Sequence, residues 1–145
     1  MSAQTAMSAK EVASVWFDRY RAQDVDGMVS LFAPDAVIEY VPMGLSANPE
    51  QLAVNGWRVL IDAFPDLTNE VQKVWQDTAE NTVFVDVYIG GTQVKDAFGI
   101  PNQGKKYWLR HLFILAVNEA GHMSRMTAFW DSVTWYQQLG KTQLP

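Results

Sequence analysis

Residues 105–117 read Lys105-Lys106-Tyr107-Trp108-Leu109-Arg110-His111-Leu112-Phe113-Ile114-Leu115-Ala116-Val117, and the alternation in this stretch decides the fold. Side chains of a strand point to opposite faces at a period of two. Leu109, His111, Phe113 and Leu115 therefore share one face, and Trp108, Arg110, Leu112, Ile114 and Ala116 share the other. Both faces are largely apolar, whereas an antiparallel sheet with one solvated face alternates apolar with polar. Something must cover each side of this strand. The expectation is a pocket and helices over the concave face, and a second copy of the chain over the convex face, giving a homodimer.

Working outward, the same period of two marks strands at 69–78, 82–98 and 122–131, with turns at 78–81, 101–104 and 118–121. Short connections make successive strands antiparallel neighbours, and Gly90 with Gly91 inside the second strand predicts a bulge. Toward the N-terminus the period becomes helical. Ser8 with Glu11 is a capping box, and Val12, Val15, Trp16 and Tyr20 continue one face of a helix over 9–22. A short second helix through Met28, Val29, Leu31 and Phe32 stops at Pro34, and 36–41 reads as a first strand. Asn48, Pro49 and Gln51 start a third helix, whose Ala53, Trp57, Leu60, Ile61 and Phe64 share a face until Pro65 ends it. The predicted fold is α+β: a strongly curved antiparallel sheet wrapped around three helices, a conical α+β barrel. It forms one domain over 1–145, with 1–8 flexible.

The chain has 145 residues, 48% of them hydrophobic and 19% charged, which suits one compact domain and excludes disorder and coiled coil. Its net charge of −5 and scattered basic residues argue against nucleic acid as a partner. No stretch approaches the apolar length of a membrane helix, the first ten residues lack the apolar run of a signal peptide, and a cytoplasmic location is expected. With no cysteine, thiolate nucleophiles, zinc–cysteine sites and disulfides are excluded, and two histidines make a histidine-based metal site improbable.

The string Ala63-Phe64-Pro65-Asp66-Leu67, then Gly91-Thr92, Phe98-Gly99-Ile100-Pro101, Gly104-Lys105, Gly121, Trp130-Asp131 and Gln138-Leu139-Gly140 resembles the SnoaL-like polyketide cyclases. These belong to the nuclear-transport-factor-like, or cystatin-like, α+β superfamily. The resemblance runs from Tyr20 to Gly140. It implies a conical pocket between sheet and helices, sized for a fused-ring or terpenoid-like molecule, with no metal and no organic cofactor. The same fold hosts ketosteroid isomerases, epoxide hydrolases, dehydratases and proteins without known chemistry, so fold alone does not specify the reaction. In the cyclases an aspartate of the last strand is the acid and base of an aldol closure, assisted by a Gln and a His two apart on the preceding strand. The aspartate position falls on Ala128 here. His111 falls on one member of the polar pair, the other being Leu109 or Phe113. The hydrolases' Arg and Asp two apart are not matched either, since Arg110 is followed by Leu112.

These residues suggest a cofactor-independent acid–base enzyme of cyclase or isomerase type, transferring a proton beside the carbonyl of an apolar polyketide-, steroid- or terpenoid-like compound. The alternative is a binding protein of the same fold, because alanine at position 128 cannot exchange a proton. His111 is a candidate base or shuttle, or else a satisfied core histidine. Asp131 is a candidate acid or the cap of a helix over 132–139. Asp86, flanked by Val85 and Val87, is either a pocket acid or the partner of Arg110 or Arg125; Glu39 poses the same question. Tyr20 lies at a family position where an aromatic of the first helix reaches the pocket, and the resemblance implies a hydroxyl able to polarise a carbonyl. Trp57, Tyr40, Phe113 and Trp130 are expected to wall the cavity, with Ala128 among the residues that meet substrate. His122 adjoins a turn and is expected to be exposed.

Overall fold

The computed structural model describes residues 7–143; the flexible start expected at 1–8 lies outside them for residues 1–6. Helix α1 (Ala9–Arg21) opens with the capping box of Ser8 and Glu11. Its Val12, Ala13, Trp16, Phe17 and Tyr20 are buried, a stripe at i, i+1, i+4, i+5 and i+8 that turns one face to the sheet. Arg21, exposed at the helix end, donates to both the carbonyl and the side-chain oxygen of buried Asn69, and Asn69 Nδ2 donates to the Phe17 carbonyl, so the far strand is fastened to the helix by polar groups.

After α2 (Val25–Val29) comes β1 (Phe32–Tyr40), then a 3₁₀ turn, Val41–Met43, and the three-residue β2 (Leu45–Ala47). The helical stretch that follows is α3 (Pro49–Leu52), a π-helical turn, Ala53–Trp57, and α4 (Arg58–Ala63). The strands β3 (Thr68–Asp77), β4 (Thr82–Thr92), β5 (Lys106–Val117) and β6 (Met123–Trp130) precede α5 (Ser132–Gln138). Among the described residues no helix is long and apolar enough to cross a membrane. One six-stranded sheet has the order β2-β1-β6-β5-β4-β3. It wraps around the helices, and the core lies between the two layers. Trp16 is the hub, with Phe17, Tyr20, Phe32, Trp57 and Phe113 at ring-centroid distances of 4.9 to 6.3 Å.

Several expectations are corrected. The sheet is mixed: β1 runs parallel to β6, while the other pairs are antiparallel. Short turns dictate the hairpins, but β1 and β6 are distant in sequence and no turn constrains their direction. The sheet is also open, with β2 and β3 at its edges, so it does not close into a barrel. Pro34 lies within β1 instead of ending a helix. The pairing with β6 is interrupted between Phe32 and Val37, so no ladder hydrogen bond is demanded of a proline there. The helix over 49–64 contains the π turn. Strand β4 ends at Thr92, short of the expected residue 98, and the buried Gln93 that follows donates its side-chain amide to carbonyls of the loop beyond it. The bulge expected at Gly90 and Gly91 is found in β3, between Val71 and Lys73. Both glycines pair regularly with β5. Their role is close approach: a Cβ on Gly90 would lie 1.9 Å from the Tyr107 carbonyl oxygen.

Candidate functional site

On β5 the side chains of Tyr107, Leu109, His111 and Phe113 follow one another along the inner face, and the helical layer stands off them to leave a cavity of about 290 Å³. This is near the lower end of small-molecule sites, which run from about 300 to 1,000 Å³. The wall opposite β5 comes from Tyr20 of α1 and from Trp57 of the π turn. That turn carries Asn55, Gly56 and Trp57 into the lining. Among the described residues, none that lines the cavity is an Asp, Glu, Lys or Arg.

His111 is half-buried, its ring between Phe113, at 5.9 Å and nearly parallel, and Trp130, at 5.3 Å. Nδ1 lies 2.8 Å from the carbonyl oxygen of Leu109. A carbonyl only accepts, so Nδ1 carries the hydrogen and Nε2 is left with its lone pair. Burial pushes the imidazole pKa down to about 4, with the Leu109 carbonyl acting weakly in the other direction. At neutral pH His111 is an uncharged free base.

Tyr20 is buried and lines the cavity, and its hydroxyl makes no hydrogen bond to another described residue. Burial raises its pKa well above the ordinary phenol value, with Tyr40 and Tyr107 adding to the rise, so it stays a neutral donor. The Tyr40 hydroxyl accepts from Trp57 Nε1 at 2.8 Å and keeps its own proton to donate; burial likewise raises its pKa. Trp130 packs edge-on against Tyr40 at 5.3 Å. Five expected residues therefore meet around one space with His111: Tyr20, Tyr40, Trp57, Phe113 and Trp130.

Three others do not. Asp86 points to the convex face with Phe84 and Tyr88, while Val83, Val85, Val87 and Ile89 fill the interior. Arg110 grips it with two hydrogen bonds of 2.9 and 2.7 Å, which hold the carboxyl below the usual carboxylate range. It is the ion-pair partner, not the pocket acid. Asp131 caps α5: one carboxyl oxygen accepts from the backbone of Val133 and Thr134, and the other from the Thr134 hydroxyl at 2.8 Å. These bonds lower its pKa, led by that of the Thr134 side chain. It lies outside the cavity. Ala128 is fully buried between Tyr40 and Phe113 in the sheet register and is not among the residues that line the space. Glu39 lies 3.5 Å from Arg125, and His122 is exposed at its turn.

The reading of residues missed Tyr107, Phe98 and Trp135 at one end of the cavity and Ser46, Gln51 and Asn55 at its rim. The alternation of β5 carried two residues back from Leu109 reaches Tyr107. The others arrive from the loop after β4, from α5, from the edge strand β2, from α3 and from the π turn, and of these only Phe98 belongs to a stretch quoted above for the family resemblance.

The chain belongs to the SnoaL-like domain family: the profile of that domain matches residues 13–126. None of the curated proteins compared with it matches. Among solved structures, a SnoaL-like protein of Jannaschia sp. CCS1, titled as a candidate polyketide cyclase, is 18% identical with a TM-score of 0.80, covering 99% of this chain and 99% of its own. AclR of Streptomyces galilaeus, titled as a candidate hydroxylase, is 19% identical with a TM-score of 0.79, over 94% of this chain and 97% of its own. IdmH of Streptomyces antibioticus, titled as a candidate polyketide cyclase, is 24% identical with a TM-score of 0.77, over 92% and 99%. At these identities the likeness is one of fold.

Proposed function

We propose that this protein is a cofactor-independent acid–base enzyme of cyclase or isomerase type, acting on an uncharged, apolar, polyketide-like carbonyl compound. The observation that carries this reading is the pairing, across one apolar cavity, of a neutral imidazole whose Nδ1 is engaged by the Leu109 carbonyl with the hydroxyl of Tyr20, which makes no hydrogen bond to another described residue. In the proposed step Nε2 of His111 removes a proton from the carbon beside the carbonyl. The electron pair moves into the enolate, and Tyr20 donates a hydrogen bond to the developing oxyanion. The imidazolium then returns the proton at carbon. A base whose pKa lies near 4 is weak, so the carbon acid must already be activated, as it is between two carbonyls.

The second reading is a ligand-binding protein. It is favoured by alanine at position 128 and by the lack of any carboxylate among the described residues of the lining. One experiment separates the two: titrating a panel of neutral aryl ketones and 1,3-diketones while following tryptophan fluorescence and, in D₂O, exchange of the α-proton by NMR. The enzyme reading expects saturable binding with exchange accelerated about 10²-fold or more over buffer, abolished in His111→Gln. Saturable binding without exchange across the panel leaves the binding protein, and no binding at all defeats both.

We further propose that two copies associate through the convex sheet face and that the protein acts in the cytoplasm. Trp75, Trp108, Leu112 and Phe129 are 37 to 44% exposed on that face, with Leu112 directly opposite Phe129 in the register. The Asp86–Arg110 pair among them is internally neutral, so no net charge opposes a second copy.

A further inference from the structure

Phe98 has φ +53° and the following Gly99 φ +71°. A left-handed backbone is ordinary for glycine and a genuine outlier for a bulky residue, which holds it only where its surroundings over-determine it. They do here. Gln93, 1% exposed, donates from Nε2 to the carbonyls of Lys95 and Ile100 at 3.1 and 2.9 Å. Ala97 and Ile100 exchange backbone hydrogen bonds, and Lys141 Nζ donates to the Gly99 carbonyl at 2.9 Å.

What the strained turn achieves is the position of one ring. Phe98 lines the cavity and packs on Trp135 at 5.9 Å, and Trp135 packs on Tyr107 at 5.9 Å. Tyr107 precedes His111 by four residues on β5, about 13 Å along the strand. The Phe98 group therefore stands at the end of the cavity away from His111.

We propose that Phe98 is a specificity residue, an aromatic end-stop that limits the length of ring system the cavity admits beyond His111. The proposal rests on the reading of the cavity as a site for a neutral carbonyl compound. With its carbonyl near His111 and Tyr20, a flat fused-ring ketone extends toward Trp135 and stops against Phe98. Gln93 acts through Phe98 by clamping the turn, and is a positioning residue.

The test uses the full chain, isothermal titration calorimetry, and two probes that differ by one fused ring, 2-acetylnaphthalene and 2-acetylanthracene. Wild type is expected to favour the two-ring ketone. Phe98→Ala and Phe98→Gly should raise the three-ring to two-ring affinity ratio about tenfold or more, the scale on which apolar pockets discriminate small differences in size. Phe98→Leu keeps an apolar contact on Trp135 and should move the ratio in the same direction by less, which keeps the test open if the smaller variants fold poorly. Because only glycine relieves the left-handed backbone, Phe98→Gly should melt about 2–4 °C above Phe98→Ala. A ratio within twofold of wild type in folded variants would overturn the end-stop while leaving the cavity reading intact. Wild type that binds neither ketone overturns both, and equal melting of the two variants removes the strained clamp from the proposal.

Discussion

His111 makes the stability of this protein depend on pH in a window where its carboxylates contribute little. Its pKa is about 4 in the folded chain against 6.5 in an exposed histidine. Between these values the unfolded chain binds a proton that the folded chain refuses, so stability falls as pH falls, beginning near pH 6.5 and levelling off below about 4. Over the whole window the linkage amounts to about 3 kcal/mol at about 1.4 kcal/mol per pKa unit. Integrated from about pH 7.5 to about pH 5.0 it comes to about 2 kcal/mol. Asp86 and Asp131, both held below the ordinary carboxylate range, give up their share only at lower pH. Urea unfolding at the two pH values, followed by tryptophan fluorescence, reads the effect directly. With a slope of about 2 kcal/mol per molar, the wild-type midpoint should drop by about 1 M between them. In His111→Gln most of that drop should disappear, and the subtraction removes every other titrating group. If the variant loses as much stability as wild type over this interval, His111 is not held neutral by burial. The free-base imidazole in the proposed mechanism then goes with it.

Three further outcomes follow from the packing. Gly90→Ala forces β4 away from the Tyr107 carbonyl and should cost about 2 kcal/mol or more by urea unfolding; an unchanged midpoint would mean that the close approach is not real. Asp131→Ala removes the cap of α5 and should lower the unfolding midpoint while leaving ketone affinity within twofold. A large loss of affinity would return Asp131 to the site. Leu112→Glu places a charge at the centre of the convex face and should convert a dimer to a monomer of 16.3 kDa by light scattering. A wild-type chain that is already monomeric at tens of micromolar refutes the association.

Legibility followed the range of the physical signal. The capping boxes at Ser8 and Asn48 and the period of two in β5 are written in a few adjacent residues, so the elements they start are where the sequence places them. Of the candidate site, the residues read from strand alternation and from the family position of Tyr20 reached the cavity. Asp86 did not, because an ion pair with Arg110 depends on the register between β4 and β5, and register is not a local property. Phe98 escaped for the same reason: its left-handed backbone is imposed by Gln93, Ile100 and Lys141, which the local string does not reveal as a unit.

By itself the sequence determined that the fold is α+β with a long strand apolar on both faces, and that a histidine sits on the inner one. Tertiary structure decided the rest: the parallel pairing of the first strand with the last, the neutral state of that histidine, and the exclusion of both carboxylates from the cavity. The physical reason is that periodicity and capping are energies of neighbours along the chain. Desolvation, register and the space left between layers exist only once distant segments have been brought together.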